Sequence, residues 1–214
     1  RARVVARRQE PVTRAATFAF ARLDDCHATS LFPEEERCLS TSAIDKRRRE
    51  FVAGRVAAHQ ALTRLIGSAT PIARVDDGPQ RGAPRVVGAA EDVCVSITHH
   101  DGLAFAAAAR APIGVDLARL ETYSDAFLKT AFVDGELEKW PNATIAFAAK
   151  EAASKLLRVG FALPLLGFRC APDRIDVLTS DVDGVARGVH DVRVRVRRLG
   201  DRIVVVTRAA TTHR

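Results

Sequence analysis

Two alanine-rich segments of this chain have similar sequences, and each is followed by runs of alternating apolar residues. Residues 56–65 are VAAHQALTRL and residues 147–156 are FAAKEAASKL, so most positions are identical or chemically similar. Their apolar residues recur at helical spacing, which predicts one helix in each segment. The similarity favours a duplicated helix-plus-sheet unit whose two halves meet near residue 112. Alanine-rich helices also match by chance, so at this point both explanations stay open.

The segments around these helices predict antiparallel strands. Residues 93–97 alternate with period two and residues 103–109 form a second apolar run, with the turn signal Asp101-Gly102 between them. Further strands are predicted at residues 17–21, 113–117, 175–178, 192–196 and 203–207. Because strands and helices alternate in blocks, we predict an α+β fold, with an N-terminal half (1–112) and a C-terminal half (113–214).

Composition excludes several classes of protein. A content of 47% hydrophobic and 28% charged residues is that of an ordinary globular chain. No apolar run approaches the roughly 18 residues that a membrane-spanning helix needs, so we expect no membrane association. The cysteines are far apart and form no CxxC pair (Cys26, Cys38, Cys94 and Cys170). This spacing indicates neither a zinc site nor a disulfide framework, and favours reduced thiols in the cytoplasm.

The net charge suggests what the chain binds, and its first residue and composition suggest whether it is part of a larger protein. The net charge of +7 is mostly due to arginine, which suits contact with phosphate, although charge alone cannot distinguish a nucleotide from a nucleic acid or an acidic protein. The sequence begins with arginine and contains no methionine, which favours a domain of a larger synthase chain over a free-standing monomer. Both arrangements stay open.

Three charged residues lie where they could act together. Glu151 and Lys155 are four residues apart in the second predicted helix and so share one face of it. An isolated pair of this kind is usually an ordinary ion pair. Asp116 lies on a predicted strand, where it points to the same side as Gly114. Neither element alone indicates a function.

Together these segments resemble the 4'-phosphopantetheinyl transferase superfamily. IGVD at residues 113–116 resembles its (I/V)-G-(I/V)-D segment, and FAAKEAASK at 147–155 resembles its (W/F)-x-x-K-E-A-x-x-K helix. RREFVAGR at 48–55, VSITH at 95–99 and LPLLGF at 163–168 resemble other segments of its larger, Sfp-type branch, in the same order. The resemblance implies a fold of two similar helix-plus-antiparallel-sheet halves related by a pseudo-twofold axis.

The resemblance also implies a reaction. Such enzymes, also called holo-[acyl-carrier-protein] synthases, transfer the phosphopantetheine arm of coenzyme A to a serine of an apo acyl or peptidyl carrier protein and release 3',5'-ADP. Asp116 and Glu151 would hold Mg²⁺, which prefers oxygen ligands. Glu151 would also accept the serine proton, either directly or through a metal-bound water, and Lys155 would neutralise the leaving phosphate.

The contacts to coenzyme A follow from the same resemblance. The expected residues are Arg48, Arg49, Arg55, Arg81, Thr98, His99, Lys150 and Lys155. Arg81, or alternatively Arg85, would serve the phosphates because Ala83 stands where the family has the lysine of a Gly-Lys-Pro segment. His99 would contact the 3'-phosphate, and the alternative for it is a structural hydrogen bond.

A further departure from the family pattern concerns a metal ligand. Many Sfp-type members have a second acid at the position of Ala118. We expect water there instead, and Glu121 is too far along the chain to be assumed a substitute.

Two rival functions stay open. One is a family member that has lost activity and binds coenzyme A or a carrier. A more remote rival is a basic nucleic-acid-binding domain, for which the chain has few aromatic residues. Phe127, Phe132 and Trp140 could contact a carrier or simply pack in the core. The carrier and its pathway stay open.

Overall fold

The computed structural model describes residues 16–39, 43–159, 163–179 and 188–210, and it confirms the α+β class with antiparallel sheets. The strands are β1 (Thr17–Arg22), β2 (Ile72–Arg74), β3 (Pro84–Val86), β4 (Cys94–His100), β5 (Leu103–Ala109), β6 (Ile113–Arg119), β7 (Phe168–Cys170), β8 (Arg174–Val177), β9 (Gly188–Leu199) and β10 (Arg202–Ala209). The helices are α1 (Pro33–Glu36), α2 (Asp45–Ile66), α3 (Asp125–Ala131) and α4 (Ala143–Leu157).

The first unit is a three-stranded sheet of order β1-β5-β4 with α2 packed on one face. Period-two alternation in β1 buries Ala19 and Ala21 in the core that α2 covers, while Phe18 and Phe20 point to the opposite side. Small alanines on strand and helix allow close packing of the two. The β2-β3 hairpin flanks this unit beside β4.

The second unit is a five-stranded sheet of order β6-β10-β9-β8-β7 with α4 packed against β6 and β10. When β6, β10 and β9 are matched to β1, β5 and β4, the strand order and the place of the helix are the same in both units. This agreement is what a duplication predicts, and the boundary near residue 112 stays a prediction.

The two sheets meet through the faces that the helices leave open. Phe105 and Ala107 from the first sheet and Val115, Leu117 and Val204 from the second form one buried cluster there. The two units therefore share a core, and β4 lies against β6.

Three helical regions depart from what their local sequence favours. Helix α2 begins at Asp45, so the basic residues before residue 51 are helical. Pro33 and the acids that follow it are typical of a helix start, but the helix there is only the short α1 (Pro33–Glu36). The region from Asp125 onwards forms α3 and a separate 3₁₀ turn, Leu137–Lys139, because Phe132 is extended and Gly135 adopts a φ of 72° between them.

The C-terminal end of α4 also differs. The helix ends at Leu157, and Arg158 follows in the left-handed conformation. Gly160, which the sequence favours as the helix terminator, lies outside the described residues.

Two remaining expectations concern cysteines and membranes. All four cysteines are unpaired thiols. Within the described ranges, no helix is both long enough and apolar enough to cross a bilayer.

Candidate active site between the two units

Gly114 sets how closely α4 lies on β6. A Cβ added at this residue would lie 1.8 Å from the backbone oxygen of Ala152, so only glycine allows the observed distance between strand and helix. Asp116 is two residues further along the same face of β6, and it therefore lies beneath the next turn of α4. The closeness brings a strand carboxylate within reach of the α4 side chains.

Asp116 is the centre of a hydrogen-bonded cluster. Its Oδ1 accepts hydrogen bonds from Lys155 Nζ at 2.8 Å and from Thr98 Oγ1 at 2.9 Å. Lys155 Nζ also donates to the backbone oxygen of Val115 at 3.0 Å. The cluster joins β4, β6 and α4, so both units fix its geometry.

Glu151 lies beside this cluster and is partly buried. Burial raises the pKa of its carboxyl, the ammonium of Lys155 lowers it, and the carboxylate of Asp116 raises it again. Two carboxylates thus lie near a single ammonium group. Such an arrangement favours a further cation.

The donor set fits a magnesium ion only in part. Within the described ranges, no three His, Cys, Asp or Glu side chains are grouped closely enough to hold a metal ion. Mg²⁺ in phosphoryl-transfer sites, however, typically takes one or two carboxylates and completes its shell with substrate phosphates and water. Asp116 and Glu151 meet that requirement. Burial and the nearby Glu121 raise the pKa of the Tyr123 hydroxyl, and Ala118 supplies no ligand.

His99 lies at the mouth of the same region. Its Nε2 accepts a hydrogen bond from Arg47 Nη1 at 3.0 Å, which places the ring proton on Nδ1, the nitrogen that faces Glu50 at 3.8 Å. Burial lowers the pKa of His99, Glu50 raises it, and Arg47 and Lys155 lower it further. The imidazole is therefore neutral near pH 7 and orients Arg47.

A basic cleft of about 710 Å³ adjoins this cluster. Volumes of this size are typical of sites for nucleotide-sized ligands. Both units line it, and its basic side chains are Arg47, Arg55, Arg74, Arg81, Arg85, His99, Lys155 and Arg158. Only Glu50 and Glu91 supply acids, so the cleft favours an anionic ligand.

Arg55 is the most buried cation of the cleft. Its Nε lies 3.7 Å from the carboxylate of Glu35 and has no hydrogen-bond partner among the described residues. Its guanidinium lies 4.6 Å from the centre of the Phe51 ring, and that of Arg74 lies 5.6 Å from the same centre. The buried Nε faces the Glu35 carboxylate, so the charge of Arg55 is already partly balanced where it lines the cleft.

The structure brings together only part of the predicted coenzyme A contacts. Arg55, Arg81, His99 and Lys155 line the cleft. Thr98 lies in the Asp116 cluster instead. Neither Arg48 nor Arg49, both in the first turns of α2, is among the residues that line the cleft, and Arg49 pairs with Asp24 at 3.6 Å.

Lys150 does not reach the cleft. It is fully buried, donates to Glu136 Oε2 at 2.6 Å, and lies near the rings of Phe132 and Phe168. Enclosed in this way, it cannot contact a ligand in the cleft. The structure gives it a role in holding α4 to the loop before it.

The aromatic residues considered for carrier binding pack mainly inside the protein. Phe132 is buried, and Trp140 donates its indole N–H to the backbone oxygen of Cys170 at 3.1 Å. Phe127 packs against Tyr123 and Phe147. Of the two alternatives, core packing accounts for Phe132.

Sequence reasoning missed three cations of the cleft: Arg47, Arg74 and Arg158. Arg47 belongs to the basic run at residues 46–49, but only the earlier start of α2 shows which of its members faces His99. Arg74 lies on β2, a strand too short to show a pattern. The sequence predicts a helix that runs to Arg158, but not the left-handed conformation of that residue or its place in the cleft.

The comparison with known families agrees with this geometry. Residues 34–109 match the family described as 4'-phosphopantetheinyl transferase N-terminal domain. The match begins in α1 and ends at the last residue of β5, so it covers α2, β4 and most of the cleft wall from the first unit. None of the curated proteins matches the chain. The family match supports a place for the chain in the 4'-phosphopantetheinyl transferase superfamily and supports transferase activity of that kind.

Proposed function

We propose that this protein transfers 4'-phosphopantetheine from coenzyme A to a serine of an apo acyl or peptidyl carrier protein, with Mg²⁺ as cofactor. The observation that carries the proposal is the cluster of Asp116, Lys155 and Glu151 at a basic cleft of nucleotide size. The matching strand order of the two units supports the Sfp-type branch and its pseudo-twofold arrangement.

Lys155 is held ready for a phosphate. An ammonium group has three N–H donors, and here two of them bind Asp116 Oδ1 and the Val115 backbone oxygen. The third is left for an oxygen of the substrate pyrophosphate. Because its partners fix the ammonium before the substrate arrives, it stabilises the developing negative charge without reorganisation.

Glu151 is suited to take the serine proton. Burial raises the pKa of its carboxyl, so it is a stronger base than an exposed glutamate. As the serine Oγ–phosphorus bond forms, its proton passes to Glu151, and the bond from phosphorus to the bridging oxygen breaks to release 3',5'-ADP. Mg²⁺ held by Asp116 and Glu151 would neutralise charge on the pyrophosphate.

The two rival functions find less support. Ala118, in place of a second acid, would indicate a family member without activity. However, Asp116, Glu151 and Lys155 are all present and adjacent. A nucleic-acid-binding domain would need basic and aromatic groups on an extended surface. Here many of the basic groups converge on a single cleft.

The test is direct. The protein is incubated with coenzyme A, Mg²⁺ and a panel of apo carrier proteins of the fatty acid, polyketide and nonribosomal peptide types. We expect mass spectrometry to show the phosphopantetheine adduct on at least one carrier, with an equal amount of 3',5'-ADP released. If the whole panel stays unmodified, the proposal is wrong. A shift of RNA or DNA at physiological salt would favour the nucleic-acid rival.

A further inference from the structure

The C-terminal half of β9 carries a row of arginines on one face. Arg193, Arg195 and Arg197 alternate with valines, so the period of two points all three side chains to the same side. All three are exposed, and each is roughly 6.6 Å from the next along the strand. In the pairing of β9 with β10, Arg193 lies directly opposite Arg208. We call Arg193, Arg195 and Arg197 the β9 arginine row.

No carboxylate within the described part of the chain forms an ion pair with this row. The arginines that form ion pairs there are other ones, such as Arg174 with Asp176 at 3.4 Å. Burial lowers the pKa of Arg208, and the charges of Arg195 and Arg193 lower it further. Because these neighbouring guanidinium groups disfavour one another's charge, the surface favours an anionic partner.

The outer edge of β9 becomes free beside the row. Val192 donates its backbone N–H to the oxygen of Asp173 at 2.9 Å, and Val194 donates to that of Pro172 at 3.0 Å. The next N–H on this edge belongs to Val196, which is 37% exposed, and it has no acceptor among the described residues. An open strand edge of this kind can pair with a strand of another chain.

Strand β4, the counterpart of β9, shows how such a surface is covered in the other unit. Counting from the hairpin turns matches Ser96 with Arg195. Ser96 accepts the backbone N–H of Val115 at 3.1 Å, so the second unit covers β4 at this position. At the matched position of β9, Arg195 is exposed, and the surface is open to a partner.

We propose that the β9 arginine row and the free edge at Val196 bind an extended acidic segment of a partner protein by strand addition. The inference is independent of the proposed transfer reaction. Side chains of an added strand lie about 5 Å from those of its neighbour, and alternate residues have the same spacing as the arginines. Aspartate or glutamate at alternate positions would therefore pair with successive arginines of the row.

A nucleic acid fits this surface less well than a peptide does. Proteins that hold single strands place aromatic side chains among the basic ones, so that bases can stack. The residues opposite the row on β10 are instead Arg208, Val206 and Val204. The two strands thus offer charge and a hydrogen-bonding edge without a stacking platform, which favours a peptide.

The experiment measures the binding of a labelled synthetic peptide of alternating glutamate and valine by fluorescence anisotropy. A peptide with glutamine in place of glutamate and a single-stranded RNA of the same net charge as the acidic peptide are the comparison probes. We expect the acidic peptide to bind, to bind more weakly as the salt concentration rises, and to protect the Val196 amide from hydrogen exchange.

Two variants separate the charge from the strand pairing. Arg195→Ala with Arg197→Ala should weaken binding of the acidic peptide at least about 10-fold. Arg22→Ala with Arg37→Ala removes the same charge from exposed positions elsewhere and should leave the affinity within about twofold of the wild type. Val196→Pro removes the outward N–H and no bond to β10, and should also weaken the peptide about 10-fold. Circular dichroism and the melting temperature show whether this variant is folded.

Each part of the proposal can be overturned separately. If the wild type does not bind the acidic peptide, or if both double variants lose the same affinity, the arginines only protect an open edge from aggregation. Equal binding of the glutamine peptide would show that charge does not select the partner. Tighter binding of the RNA would replace the peptide by a nucleic acid. A folded Val196→Pro variant with unchanged affinity would exclude strand addition.

Discussion

In both units of this protein, a side chain of the helix is hydrogen-bonded to a buried carboxylate. In the first unit, the buried carboxylate of Glu35 accepts a hydrogen bond from His59 of α2 at 2.8 Å. In the second, the buried carboxylate of Glu136 accepts one from Lys150 of α4 at 2.6 Å. Each carboxylate also accepts the backbone N–H of a following strand residue, Ile72 or Cys170. His59 and Lys150 are matched in the repeat that opens the sequence, so the structure supports that alignment.

A second contact repeats as well. Arg64 near the end of α2 donates to the backbone oxygen of Phe18 on β1, and Lys155 near the end of α4 donates to that of Val115 on β6. The repeat matches Arg64 with Lys155, and the hairpin registers match Phe18 with Val115. The scaffold is thus equivalent in the two units.

The units differ in the groups on this scaffold. Counted from the hairpin turns, Ala19 of β1 corresponds to Asp116 of β6. In the helices, Gln60 corresponds to Glu151. Two carboxylates therefore replace an alanine and an amide in the second unit alone, which explains why we expect one catalytic centre and not two.

The close approach of helix and strand differs too. In the first unit, the hydroxyl of Thr17 lies between β1 and α2 and donates to the backbone oxygen of Ala61 at 2.7 Å. Its counterpart is Gly114, which leaves no room for a side chain beneath Ala152. The loss of one side chain lets α4 lie nearer its strand, and this places Lys155 over Asp116.

The largest effect is expected from changing the matched cations. Lys155→Met removes the charge next to the leaving phosphate and should lower kcat about 10³-fold. Arg64→Met removes the equivalent cation from the first unit and should leave kcat unchanged, since Arg64 is exposed and not among the residues that line the cleft. Transfer rates to a carrier protein measure both. Equal losses in the two variants would contradict a catalytic role for Lys155.

The two buried hydrogen-bonded pairs should contribute different amounts to the free energy of unfolding. Lys150→Met leaves the Glu136 carboxylate buried without a counter-charge and should lower the free energy of unfolding by about 3 kcal/mol. His59→Leu should lower it by only about 1 kcal/mol, because Glu35 keeps Arg55 nearby. Urea denaturation measures both. The KM of Lys150→Met for coenzyme A, taken where the variant is folded, should equal that of the wild type, and a raised KM would restore Lys150 as a ligand contact.

A smaller effect is expected at the strand positions. Gly114→Ala forces a methyl group against the backbone of α4 and should destabilise the fold by about 2 kcal/mol. Thr17→Ala removes one hydrogen bond and should cost about 1 kcal/mol. If the alanine at residue 114 is tolerated without loss of stability or activity, the helix is not held as closely as we infer.

Much of the fold could be predicted from the sequence because its signals are local. The turn at Asp101-Gly102, the alternation in residues 93–97 and the strand at 113–117 all appear as predicted. The sides of β6 were also predictable, since period two puts Gly114 and Asp116 on one face. Register and periodicity need no knowledge of distant residues.

The site was less predictable because burial and pairing depend on distant parts of the chain. Lys150 precedes Glu151 in the motif, yet its side chain points to Glu136, which no local pattern indicates. Arg47 acquires its role from His99, on a strand of another part of the fold. The position of Arg158 could be recognised only once the backbone conformation at the end of α4 was known. Motifs led to the proposed catalytic centre, while most basic residues of the cleft could be recognised only in the structure.

The most direct test of the account exchanges Gln60 and Glu151, a matched pair of which only Glu151 is a carboxylate. Glu151→Gln makes the second helix like the first, and Gln60→Glu introduces a carboxylate at the exposed, equivalent position. The measurement is the rate of phosphopantetheine transfer to an apo carrier at saturating coenzyme A and Mg²⁺. We predict that Glu151→Gln is slower by roughly 10²- to 10⁴-fold and that Gln60→Glu matches the wild type. Transfer by Glu151→Gln at the wild-type rate would contradict the placement of the catalytic centre in the second unit.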